Sequence, residues 1–115
     1  MDFHTHVQRQ MAFFRSTFGP GTRREGLVAH IYKELDELGN NPDLDDPAKE
    51  WADIIILATE GLARELESQA VPWDSISREV GYAIQDKQSI NEQREWPDWR
   101  KFGQHEAIEH DHSKE

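Results

Sequence analysis

The stretch that decides the fold is HIYKELDELGNNPDLDDPAKEWADIIIL, residues 30–57, in which two acidic pairs flank a turn-rich centre. Glu34 and Glu37 stand three residues apart, as do Glu50 and Asp53, and twelve residues separate the pairs. Three residues is close to one helical turn, so each pair projects from one side of a helix. Gly39-Asn40-Asn41-Pro42-Asp43-Leu44-Asp45-Asp46-Pro47 lies between them. Within it Gly39 suits a left-handed helix end, Asp46 is a capping residue and Pro47 fits a first helical turn. The pattern predicts two antiparallel helices. Glu34 and Glu37 fall in the last turns of one, Glu50 and Asp53 in the first turns of the next, so the hairpin gathers four carboxylates at one height.

Such spacing also arises by chance in a chain with 23 acidic residues among 115, and it recurs at Glu92/Glu95 and Glu106/Glu109. A solvated acidic rim is therefore the competing reading. The neighbours separate the two: Ile31, Leu35 and Leu38 flank the first pair, and Trp51 and Ile54-Ile55-Ile56-Leu57 flank the second. These acids are expected on buried helices. Carboxylates crowded beside a core raise one another's pKa by repulsion and desolvation, whereas hard divalent cations hold them ionised. Metal binding at Glu34, Glu37, Glu50 and Asp53 is the expectation.

Working outward, Phe3, Val7, Met11, Phe14 and Phe18 recur at spacings of three and four and predict a helix over 3–18. Phe18-Gly19-Pro20-Gly21-Thr22 breaks it, and Thr22 with Glu25 has the form of a capping box for a second helix from about Arg23 to Leu38. Leu27, Ile31, Leu35 and Leu38 form its core stripe, and His30, Glu34 and Glu37 share the adjoining face. A central helix runs from Ala48 to about Ser68, apolar on most sides. A fourth, capped by Asp74 and carrying Ile76, Val80, Ala83, Ile84 and Ile90 inward, ends near Trp96-Pro97. No strand pattern, repeat or low-complexity tract appears. The reading is an all-α four-helix bundle over 1–97 with an irregular C-terminal segment, 98–115, that packs on it or is partly disordered.

Hydrophobic residues are 36% and charged residues 31%, so the core is modest and part of it is expected to be completed by oligomerisation. The net charge of -10 argues against direct nucleic-acid binding, which needs stripes of Lys and Arg, and means that an anionic substrate needs a cation. The absence of cysteine excludes disulfides and thiolate zinc sites. No basic-plus-apolar leader and no membrane-length apolar stretch is present, which makes a cytoplasmic protein the expectation.

Lys87, Asn91 and Arg94 fall at i, i+4 and i+7 on the fourth predicted helix, aligning two cations and an amide that suit phosphate oxygens. Asp86 and Glu95 nearby make a solvated face the alternative. Arg23 and Arg24 open the second helix, where anions are also favoured, but two exposed arginines are commonplace.

The two acidic pairs on a helical hairpin resemble the MazG-like all-α nucleoside triphosphate pyrophosphohydrolases. Residues 17–21 (TFGPG), 30–35 (HIYKEL), 50–53 (EWAD), 87–97 (KQSINEQREWP) and 107–111 (AIEHD) are similar to a smaller branch found in phages and bacteria, the dATP/dGTP pyrophosphohydrolases. The resemblance spans nearly the whole chain. It implies hydrolysis of a purine deoxynucleoside triphosphate between the α and β phosphates, giving monophosphate and pyrophosphate, with two or more Mg2+ or Mn2+ ions. By position it makes Glu34, Glu37, Glu50 and Asp53 the catalytic metal ligands, with Glu34 or Glu37 activating water, and Lys87, Asn91 and Arg94 the triphosphate grip. It also implies a homodimer or homotetramer, in a host cytoplasm if the protein is viral. His30, Phe14, Phe18 and Trp51 are candidate pocket residues, the aromatics as stacking partners for a base, although such aromatics are more often core than pocket and His30 is as readily a hydrogen-bonded residue beside the core. Glu60, seven residues after Asp53, departs from the wider family, where Asp is more usual, and reads as support for the ligands or as pocket wall.

A different class of reading is a non-catalytic acidic helical interaction module, permitted by the charge alone. A di-iron bundle needs ExxH pairs, and the chain has only Glu109 to His112. An EF-hand fails because the 43–47 loop lacks the required glycine and twelfth-position acid. His105, His110 and His112 suit a polar tail better than a metal site.

Overall fold

The computed structural model describes residues 1–111. Its elements in chain order are α1 (Phe3–Phe18), α2 (Arg24–Asn40), α3 (Pro47–Ser68), α4 (Trp73–Gln93) and a short 3-10 turn, Trp99–Lys101. Among the described residues there is no strand, and the protein is all-α, as its periodicity predicts. The chain divides into two compact units, Met1–Tyr82 and Ala83–Glu115.

In the first unit, α1 opens where the Asp2 side chain accepts from the Thr5 N–H at 2.7 Å, a local cap that offsets one of the unpaired donors of a helix start. It closes at Gly19, whose N–H donates to the Arg15 carbonyl and whose φ of 82° lies where a side chain is disfavoured. Thr22 does not cap α2. Arg23 occupies that place in left-handed geometry (φ 46°) with no side-chain cap bond, and its guanidinium lies over the Phe18 ring. The difference follows from backbone direction: the 19–21 loop delivers the chain in a conformation that puts the expected capping hydroxyl one residue too early. Gly39 likewise is not a left-handed terminator. α2 runs through it to Asn40, whose amide donates to Asp36, and the turn is closed by Asn41, whose side chain accepts from the Asp43 N–H. α3 starts as the sequence predicts, with Asp46 accepting from the Ala48 N–H at 3.1 Å and Pro47 in the first turn.

Asp74 sits inside α4 rather than capping it, because the helix already begins at Trp73, where the Ser75 N–H returns to the Pro72 carbonyl. The core is Val7, Met11 and Phe14 of α1, Ala63 of α3, and Ile76 and Val80 of α4, bordered by Leu62, Leu66 and Val71. Burying these at i, i+3 and i+4 spacing is what holds α1 against α3. The core is narrower than the sequence stripes suggest: Phe3, Phe18, Leu35, Trp51, Ile55, Ile56, Ile84 and Ile90 are all exposed in this chain. α2 and α3 form the antiparallel hairpin, tied at its open end by a two-bond ion pair from Arg24 to Glu65 (both 2.7 Å).

In the second unit, the rest of α4 ends at Gln93, three residues before the expected Trp96. The Trp96 indole donates to the Asn91 carbonyl at 2.7 Å and its ring meets that of His110 edge-on, 5.6 Å between centroids. The segment after Pro97 is not wholly irregular: Asp98 accepts from the Arg100 N–H and starts the 3-10 turn.

Candidate active site

Glu34 near the end of α2 and Glu50 and Asp53 at the start of α3 converge because the hairpin is antiparallel and its turn short. One carboxylate oxygen from each lies within 4.8 Å of the others, the one such group of potential metal ligands among the described residues. Glu37 does not join the trio, although its charge reaches Glu50. A helical turn separates it from Glu34, and that small rotation about α2 is set by packing that the three-residue spacing does not encode. The acids are also less enclosed than expected. Glu34 and Glu50 are half-buried, and Asp53 is exposed.

With the carboxylates ionised, Glu50 Oε2 is sealed from solvent and has no hydrogen-bond partner. Its pKa is accordingly raised, first by a hydrogen bond with the Glu34 carboxyl, then by desolvation and by the charges of Glu34, Glu37 and Asp53. Sharing a proton is one way to relieve this cluster, and an all-oxygen donor set with a sealed, orphaned oxygen is equally suited to a hard divalent cation. The residues fit a hard divalent cation. His30 lies beside them on α2, its Nε2 3.4 Å from Glu34 Oε1, with half its side chain exposed.

A cleft of about 230 Å3 opens from this cluster. Glu34, Asp53 and His30 line one part, and Phe13, Phe14 and Phe18 of α1 supply its aromatic wall. Trp51 is not among the lining residues and is half-exposed. Glu60 lines the cleft while being 3% exposed, which places it in the wall. It is fixed by Arg64, whose Nε donates to Glu60 Oε2 at 2.9 Å while Nη1 donates to the carbonyls of Gly19 and Gly21, each at 2.8 Å. The same guanidinium lies 4.8 Å from the Phe14 ring centroid. Sequence reading missed Arg64, Phe13 and Gln10. Gln10, also in the wall, donates to the Ile56 carbonyl at 2.6 Å and so ties α1 to α3. The available signal was a Glu60/Arg64 pair at i, i+4 following the apolar run 54–58 of α3.

Lys87, Asn91 and Arg94 belong to the second unit. Lys87 is exposed on α4, and Arg94 lies just beyond the helix end, not on its face. Arg94 Nη1 donates to Asn91 Oδ1 at 3.1 Å, so these two are brought together. Glu106 of the recurring acidic spacing accepts from the Gly103 N–H, and neither that pair nor Glu92/Glu95 forms a ligand cluster. His112, and with it the ExxH reading, lies outside the described residues.

A helical hairpin that presents a carboxylate cluster to a cleft whose aromatic wall comes from α1 defines a class: all-α proteins whose clustered acids are suited to holding a polyanion through cations. Within that class the chain belongs to the dATP/dGTP pyrophosphohydrolase family, whose model matches residues 7–114. It is a hydrolase acting on nucleoside triphosphates, with a deoxynucleoside triphosphate as substrate. That membership sets aside the non-catalytic interaction module. No curated protein and no solved structure matches the chain. Among the described residues no helix is long and apolar enough to cross a membrane.

Proposed function

We propose that the protein hydrolyses purine deoxynucleoside triphosphates between the α and β phosphates, in a Mg2+- or Mn2+-dependent reaction that yields the monophosphate and pyrophosphate. The observation that carries this is the convergence of Glu34, Glu50 and Asp53, of which Glu34 and Asp53 line a cleft walled by phenylalanines. Glu34, Glu50 and Asp53 hold the cations, with Glu37 completing the set. Bound cations neutralise charge on the phosphates and lower the pKa of the attacking water. Glu34 or Glu37 takes the proton of that water. Phe18, which is exposed, offers a face on which a base stacks, whereas Phe14 is buried in the core beneath the Arg64 guanidinium and backs the wall. Lys87, Asn91 and Arg94 bind phosphate oxygens, Lys as a point charge and Arg as a planar fork.

Residues 1–97 act as the catalytic domain, in a homodimer or homotetramer; the exposure of Val28, Tyr32, Trp51 and Ile55 on the α2–α3 hairpin supports a partner subunit there. The test is incubation with each deoxynucleoside and ribonucleoside triphosphate plus Mg2+ or Mn2+, with nucleotide and phosphate products resolved. Monophosphate with pyrophosphate is expected. Diphosphate with orthophosphate, or no turnover, overturns the reading. Lys87→Ala should raise KM for the triphosphate about tenfold at unchanged thermal stability, because an exposed charge–phosphate contact is lost.

A further inference from the structure

The cleft carries more polar groups than a phosphate site needs. Gln10 is committed, its amide to the Ile56 carbonyl and its oxygen to the His6 ring at 3.2 Å. His30, Glu34 and Asp53 stand at the acid cluster. Glu60 is different: it lies seven residues beyond Asp53 on α3, two helical turns or about 10 Å along the axis. That is of the order of the span from the α-phosphate to the far edge of a base in an extended nucleotide. Only one of its several lone pairs is shown taken, by Arg64 Nε on Oε2. Arg64, 2% exposed and anchored to two loop carbonyls, fixes the orientation of that carboxylate.

We propose that Glu60 reads the purine edge and makes guanine the preferred base, with Arg64 as its positioning residue. A carboxylate only accepts, and the Watson–Crick edge of guanine offers it two donors, N1–H and the 2-amino group. Adenine offers the 6-amino group alone and sets the N1 lone pair against the carboxylate, so dATP fits with one bond and a repulsion. The inference rests on the proposed function for the direction in which the nucleotide lies.

The test combines wild-type protein with altered bases and one variant. Relative to dGTP, kcat/KM for dITP, which lacks the 2-amino group, should fall about tenfold, as loss of one arm of a bidentate contact implies. 7-Deaza-dGTP, altered only on the opposite edge, should react like dGTP. Glu60→Gln, which presents a donor as well as an acceptor, should lower the dGTP-to-dATP ratio at least tenfold while dATP turnover persists. A parallel measurement of dGMP, dIMP and dAMP binding with Mn2+ present should give the same order for wild-type protein, independent of turnover because monophosphates are products, so it decides the matter even where the variant fails to fold. Equal turnover of dGTP and dITP together with equal binding of dGMP and dIMP, or an unchanged ratio in folded Glu60→Gln, overturns the inference alone. Absence of turnover with every nucleotide overturns the proposed function, and the binding series then still reports on Glu60.

Discussion

Replacing Arg64 with methionine removes a buried cation while keeping an unbranched apolar stem of similar reach. Both members of the Glu60–Arg64 pair are almost wholly inaccessible, with side-chain exposures of 4% and 1%. Removing one partner of such a pair leaves an uncompensated charge and costs about 3–5 kcal/mol. The carbonyls of Gly19 and Gly21 also lose their donor, but both residues retain access to water, so this adds only about 1 kcal/mol for each. One compensation exists: Arg64 Nη2 is buried without a partner, and deleting it recovers about 1–3 kcal/mol. The net destabilisation of Arg64→Met is therefore about 4 kcal/mol. In a chain of this length that corresponds to a fall in Tm of about 15 °C. Replacing Glu60 by Leu in the same background should restore most of it, since an ion pair exchanged for apolar side chains is close to neutral. Urea and thermal unfolding followed by circular dichroism measure all three proteins. A single variant within 1 kcal/mol of wild type, or a double variant no more stable than the single, refutes the burial argument.

Other consequences follow from the acid cluster and the caps. Glu34→Gln, Glu50→Gln and Asp53→Asn should each lower turnover on the order of 10²–10³-fold, yet leave the metal-free fold as stable or more stable because mutual repulsion is relieved; steady-state kinetics beside urea titration in EDTA shows whether the two effects part. The raised pKa of Glu50 means that the folded state favours its protonated form, so the stability this gives is present at low pH and is lost as pH climbs out of the usual carboxylate range and through the raised value. Urea midpoints in EDTA should fall across that window, the fall should shrink with Mn2+ present or with Glu50→Gln, and a flat profile in EDTA would contradict the shift. Asp46→Ala removes the α3 cap and should cost about 1 kcal/mol by denaturant titration, with turnover per folded molecule unchanged.

The sequence by itself determined the helices and the existence of an acidic hairpin. Periodicity, Asp46 with Pro47 and the break at 18–22 act through neighbours in the chain, so α1 and the start of α3 fall where they are read, and family resemblance in dispersed motifs supplies the activity. Caps were less legible at Thr22, Gly39 and Asp74, because a capping residue type works only if the incoming backbone has the right direction, and that direction comes from what the loop packs against.

What only tertiary structure decided is which side chains meet. The rotation of α2 against α3 selects Glu34, Glu50 and Asp53 over Glu37 for the closest contact. The seating of α1 turns Phe13, Phe14 and Phe18 toward the cleft and leaves Trp51 out of it. Arg64 shows the same limit: a Glu and an Arg four apart read alike on a wet helix face and in a core. Only the packing of α1 and the 19–21 loop over that part of α3 makes the pair a buried strut in the wall of the site. Spacing along one chain fixes neighbours on one helix, whereas burial and convergence depend on surfaces that residues far apart in sequence bring together.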